Sequence, residues 1–167
     1  MFVRADGIGR TRTMPGMPGR PDDTPQIIPY LYYEDATKAL DFLVDAFGFH
    51  VISAFRDDSG DVLTAQLRTG DGVVMIGPGM DGFGTRGVQD PDWATTRMFV
   101  YVEDVDAHYE RSRAAGARIV SEPAVHFSDN KIYVAADCGG QQWIFAEPID
   151  AKESDPKGTE EKSREQP

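Results

Sequence analysis

YLYYED, Tyr30 to Asp35, returns 69 residues later as FVYVED, Phe99 to Asp104. The same shift of 69 pairs Tyr32 with Tyr101, Glu34 with Glu103, Asp35 with Asp104, Ala46 with Ala115, Leu63 with Ile132, Gly70 with Gly139 and Met75 with Ile144. One coincidence of this kind is cheap, but a register shared across both halves marks a module that occurs twice.

The content of the module follows from hydrophobic period. IIPYLYY reads as a strand. Asp35 is placed to cap a helix whose apolar stripe is Ala36, Leu40, Leu43 and Phe47, and Gly48 stands where a helix ends in a left-handed residue. FHVISAF, VLTAQL and VVMIG then read as three strands separated by the turns DDSGD and RTGDG. The second half supplies MFVYV, a helix from about Val105 to Ala115 stopped by Gly116, and the strands ARIVS, KIYVAA and QQWIFA. Each half is βαβββ, so the expected fold class is α+β: two tandem modules forming a curled mixed sheet around a cleft. The expected organisation is an N-terminal mobile arm over 1–25, a first module over 26–78, a linker over 79–96, a second module over 97–148 and a charged tail over 149–167.

Composition agrees with one compact unit. The 167 residues are 40% hydrophobic, with nine Phe, six Tyr and two Trp, enough apolar mass for a core. No apolar run approaches the roughly 20 residues of a membrane span, and MFVRADGIGR lacks the apolar stretch of a signal peptide, so neither membrane association nor export is expected and the cytoplasm is. The single Cys138 forms no internal disulfide, in keeping with a reducing compartment. Residues 1–25 hold four Arg against three Asp and residues 149–167 hold four basic against six acidic groups, so residues 26–148 carry about −10 of the formal charge of −11. That much negative charge repels phosphate backbones, and nucleic acid is not an expected partner.

Two βαβββ units of this size, together with YVEDVDAHYERSRAAGARIVSEP and the closing DCGGQQWIFAEP with its D-x-x-G-x-x-W spacing, resemble the vicinal oxygen chelate superfamily over residues 26–148. That superfamily includes glyoxalase I, extradiol dioxygenases and the bleomycin-resistance and related drug-binding proteins. The resemblance implies two sheets curling around a ligand cleft, and frequent assembly as a homodimer. It does not name a chemistry, because the fold hosts several.

Strand alternation assigns the faces. Leu31, Tyr33, Val100 and Val102 should pack under the helices, with Val74, Ile76, Trp143 and Phe145 as core. Ile28, Tyr30, Tyr32, Arg97, Phe99 and Tyr101, with Val73, Met75, Gln142 and Ile144, are left for the cleft. The positions at which metal-dependent relatives carry His, Gln or Glu ligands fall on Ile28, Met75, Arg97 and Ile144. Two are hydrocarbon, one a thioether and one a cation, so no metal or other cofactor is expected. His50, His108 and His126 have no ligand-like spacing; His126, in a loop toward the cleft end, is the best placed of the three. Cys138 reads as a hairpin residue, and no phosphate-binding or nucleophile motif occurs.

A cleft rich in rings with one cation suits a small, partly aromatic organic molecule. The expected contacts are Tyr30, Tyr32, Met75, Trp93, Arg97, Phe99, Tyr101, Gln142 and Ile144. Arg97 would pair with a ligand carboxylate or stack on a ligand ring or, instead, pair with an internal Asp or Glu; Trp93 would act as lid or dimer contact, or dock into the core. Sequestration or carriage of the molecule leads. An enzyme of the same superfamily, whether a metal-dependent lyase or dioxygenase or a metal-independent isomerase or cyclase, is the alternative, and an interaction module whose cleft is a dimer seam is the third.

Overall fold

The computed structural model describes residues 24–126 and 129–149; the expected arm up to residue 23 and the tail from residue 150 lie outside them. The elements run β1 (Tyr30–Tyr33), α1 (Ala36–Phe47), β2 (His50–Arg56), β3 (Val62–Thr69) and β4 (Gly72–Pro78). A short 3-10 turn (Asp81–Phe83) precedes β5 (Arg97–Tyr101), α2 (Val105–Ala114), β6 (Arg118–His126), β7 (Asn130–Ala136) and β8 (Gln142–Pro148). The fold is α+β, with two βαβββ modules. Each module makes its own four-stranded mixed sheet, in the orders β1-β4-β3-β2 and β5-β8-β7-β6, and the sheets do not close on each other.

The repeat is visible atom by atom. Asp35 Oδ1 accepts from the Lys38 amide at 2.8 Å, and Asp104 Oδ1 accepts from the Ala107 amide at 2.9 Å, so the two caps use equivalent partners. Tyr30 pairs with Met75 in the first sheet as Phe99 pairs with Ile144 in the second. Between these landmarks the shift of 69 fails by one. Gly48 and Gly116 are the left-handed residues that end the two helices (φ 69° and 89°), and Ala65 opposite Ile76 corresponds to Tyr133 opposite Phe145. The sequence pairs Ala46 with Ala115, Leu63 with Ile132 and Gly70 with Gly139 are therefore not structural equivalents. The hairpin between β7 and β8 restores the count: residues 137–141 separate the pair Ala136–Gln142, whereas residues 69–72 separate Arg68–Val73. His126, expected in a loop, closes β6 opposite Asn130.

One core serves both modules. Leu43, Leu67, Ile76, Tyr133, Trp143 and Phe145 are fully buried within a single cluster that spans the two halves. Its centre is Phe47, the last residue of α1, whose ring lies 4.8 Å from Phe145 and 5.9 Å from Trp143 between centroids. The C-terminal carbonyls of α1 would otherwise be unpaired in that setting. Residues of α2 pair them: Arg111 Nε and Ser112 Oγ each donate to Ala46 O at 3.2 Å, and His108 Nε2 donates to Phe47 O at 3.2 Å. Because a carbonyl only accepts, Nε2 carries the imidazole proton and Nδ1 accepts from the Tyr133 hydroxyl at 2.5 Å.

The five-residue turn adds a second fastening. Asp137 is buried, and its carboxylate accepts from Tyr33 Oη at 2.7 Å, Trp143 Nε1 at 2.9 Å, and the amides of Gly139 at 2.9 Å and Gln141 at 3.0 Å. Tyr33 belongs to the first module, so this turn ties β1 to the second. Burial pushes the Asp137 carboxyl up from its ordinary value while these four donors pull it down, and burial with the neighbouring Asp137 charge raises Tyr33. A Cβ at Gly139 would collide with the Tyr33 ring, so only glycine lets the turn close over it.

His108 makes the module junction sensitive to acid. Burial lowers its pKa from 6.5 to about 4, against the opposing hydrogen bond to Phe47 O. The unfolded imidazole takes up its proton near 6.5 and the folded one only near 4, so this contribution is complete above 6.5 and disappears as pH falls toward 4. We predict that denaturant titrations show stability falling by up to about 3 kcal/mol across that interval, and that His108→Gln, though less stable at neutral pH, loses most of the slope.

Candidate functional site

β1 and β5 are edge strands, and the connection from β4 to β5 runs past both. At Gly87 it lies against β1, where a Cβ would sit 3.2 Å from the Glu34 nitrogen and 3.4 Å from Tyr32 O. Farther on, Pro91 docks on the second module. Its carbonyl accepts from Gln142 Nε2 at 3.1 Å and from Arg118 Nη2 at 2.5 Å, while Arg118 also meets Asp92 at 3.3 Å. Gly140 is the seat of the Pro91 ring, which a Cβ there would meet at 3.1 Å.

Between β1, this strap and the starts of β5 and β8 lies an open groove of about 600 Å³. That volume is of the size that holds drug-like molecules. From the first module it takes Pro29, Tyr30, Leu31 and Tyr32; from the strap, Val88, Gln89, Trp93, Thr95 and Thr96; from the second module, Met98, Gln141 and Gln142. The Tyr30 and Tyr32 rings stack at 4.9 Å between centroids, and Tyr30 Oη donates to Thr64 Oγ1 at 3.0 Å. Trp93 is 78% exposed. It stands on the groove rather than docking in the core.

Of the nine expected contacts, Tyr30, Tyr32, Trp93 and Gln142 line this groove, and Met75, Arg97, Phe99, Tyr101 and Ile144 do not. Those five occupy sheet faces outside it. Phe99 and Tyr101 are exposed, with rings 5.2 Å apart, and Met75 and Ile144 are half-buried. Arg97 pairs with neither of the groups foreseen for it inside the protein, an Asp or a Glu: its Nε donates to Gln142 Oε1 at 2.9 Å. Gln142 is buried and thereby spans from Arg97 to Pro91 O. Of the strap only Trp93 was foreseen, Val88, Gln89, Thr95 and Thr96 were not, nor was Gln141, and Leu31, foreseen under the helices, also reaches the groove. The one signal for the strap was its length, because a connection this long is usually functional.

The side chains at the family's chelate positions do not suit a hard divalent ion. Ile28 and Ile144 have no donor, Met75 is a thioether and the Arg97 guanidinium is engaged by Gln142. Among the described residues no three His, Cys, Asp or Glu gather at one point. His50 opens β2 opposite Arg68, His108 is committed to the core and His126 ends β6. Cys138 is exposed in the turn between β7 and β8, yet partial burial and Asp137 push its thiol up to about 11, which disfavours the thiolate.

The model of the Glyoxalase/Bleomycin resistance protein/Dioxygenase superfamily matches residues 26–145. The chain belongs to that superfamily. Among relatives of this glyoxalase-superfamily chain, an uncharacterized protein of Mycobacterium tuberculosis (strain ATCC 25618 / H37Rv) is 28% identical over 152 residues, covering 89% of each chain. The crystal structure of TioX from Micromonospora sp. ML1 is 31% identical and superposes with a TM-score of 0.59, over 76% of this chain and 98% of TioX. TnmS3, an antibiotic binding protein from Streptomyces sp. CB03234, shares the fold at 18% identity, with a TM-score of 0.56 over 72% of this chain and 93% of its own. Among the described residues no helix is long and apolar enough to cross a membrane.

If Gln142 holds the strap, its removal should loosen that segment without unfolding the core. We predict that Gln142→Ala lowers stability by about 1–2 kcal/mol, the cost of leaving Pro91 O and Arg97 with poorer partners. Hydrogen exchange should accelerate across residues 89–96 while the amides of α1 keep their protection.

Proposed function

We propose that this protein binds a small, partly aromatic organic molecule in the groove beneath the strap and acts by sequestering or carrying it. The observation that carries the reading is the conjunction of the stacked Tyr30–Tyr32 pair and exposed Trp93 on one groove of about 600 Å³. Rings supply large, rigid apolar area for a planar ligand, and the amides of Gln89 and Gln141 supply orienting hydrogen bonds. Tyr33, His108, Tyr133 and Asp137, whose titration burial displaces, are bonded to one another or to the backbone in the core, outside the groove. This favours binding over turnover. The fold neighbour TnmS3 is an antibiotic binding protein, in keeping with a small-molecule ligand.

The two tryptophans make the test direct. Trp143 is fully buried and donates to Asp137, whereas Trp93 is open to solvent on the groove. A bound aromatic molecule should quench the solvent-exposed emission saturably in the native protein. Trp93→Phe, which keeps Trp143, should lose that quenching, and Tyr32→Ala should weaken binding by about tenfold, as for loss of one stacking contact. Quenching that persists in Trp93→Phe would place the ligand elsewhere.

Phe99 and Tyr101, off the groove, fit a second role. We propose a homodimer that covers the exposed face of the second sheet, where Phe99 is 49% and Tyr101 62% exposed. Exposed apolar faces of this kind on a folded domain commonly mark association surfaces, and a two-fold pairing sets the same face of each copy against the other. Sedimentation should give a dimer for the native protein and a monomer for Tyr101→Glu; a native monomer overturns this assembly.

A further inference from the structure

We infer that the groove selects an uncharged planar ligand with amide-like hydrogen-bonding groups and discriminates against the carboxylate form of the same ring. This inference rests on the binding reading above and gives its ligand a chemical class.

The reasoning starts from where the charges are. Arg97, the one cation that strand alternation assigns to the cleft, is not on the groove, and its Nε is held by Gln142 Oε1 at 2.9 Å. Gln142, 3% exposed, uses its other end on Pro91 O, so a neutral amide stands where a clamp for an anion would be needed. The charged side chains on the groove are Arg86 and Asp90, both exposed and of opposite sign, and Arg86 lies 3.9 Å from Asp81. Other polar groups on the groove are uncharged: Gln141 Nε2 donates to Thr96 O at 3.0 Å, and both residues line the groove.

An amide on a ring can exchange hydrogen bonds with such groups at little cost. A carboxylate brought against the same aromatic and amide surface surrenders water and, among the described residues, meets no cation but Arg86, which Asp90 on the groove and Asp81 offset. The formal charge of −11 adds long-range repulsion against the anion and none against the amide. The pairing of Arg97 with Gln142 thus leaves the groove with Arg86 as its cation, matched by the Asp90 carboxylate.

The test uses 2-naphthamide and 2-naphthoate, matched rings that differ in charge, titrated at pH 7 with tryptophan emission as readout. The amide should bind at least about fivefold more tightly than the carboxylate. Equal or tighter saturable binding of 2-naphthoate overturns the selectivity while leaving the binding reading intact. Failure of both probes to quench removes the binding reading and this inference with it. Thr95→Lys, at an exposed position on the groove wall, adds a second cation to the groove. It should shift the preference toward 2-naphthoate relative to 2-naphthamide by about threefold or more, as for one added charge pair near the surface. No shift of preference in that variant would mean the discrimination does not arise in this groove, and the inference would fail.

Discussion

Everything in this molecule depends on how the end of α1 is received by the other module. A helix that stops at a buried aromatic residue leaves carbonyls facing a core from which water is excluded, and such groups are costly unless paired. Here Phe47 enters the second module ring first, and Arg111, Ser112 and His108 of α2 pair the carbonyls of Ala46 and Phe47. The apolar and polar requirements are met by the same approach of the two helices. Two half-domains that might each have kept a small core instead share one.

That junction settles the placement of the groove. With the helices joined back to back through the core, the edges β1 and β5 are held in fixed relation, and the strap between the modules bridges them. Asp137 reinforces the arrangement from the other side. The residue exists in its position because the turn between β7 and β8 is longer than its counterpart, and that turn lets a carboxylate collect the Tyr33 hydroxyl, the Trp143 indole and two backbone amides. A departure from exact repetition is thus what joins the repeats.

The groove shows the same division between a rigid frame and an added loop. The frame contributes stacked tyrosines on an edge strand, and the strap contributes Trp93 and a set of hydroxyl and amide groups. Gln142 couples the two by holding Pro91 O and Arg97 at once. Superfamily membership gives the frame, and the strap's own sequence gives what is specific to this protein.

The sequence by itself determined the two βαβββ modules, both helix caps, the glycine stops, and the strand faces of Val74, Ile76, Trp143 and Phe145. These are local matters of period, capping and residue chemistry, and they are decided within a few residues of the chain. Only the tertiary structure decided that Arg97 binds an amide instead of a carboxylate, that Phe99 and Tyr101 lie apart from Tyr30 and Tyr32, that His126 ends a strand, and that the strap walls the groove. Each of those depends on how two sheets and a long connection are placed in space. That placement arises from Phe47 and Tyr33 reaching partners some 100 residues away, contacts that no local pattern encodes.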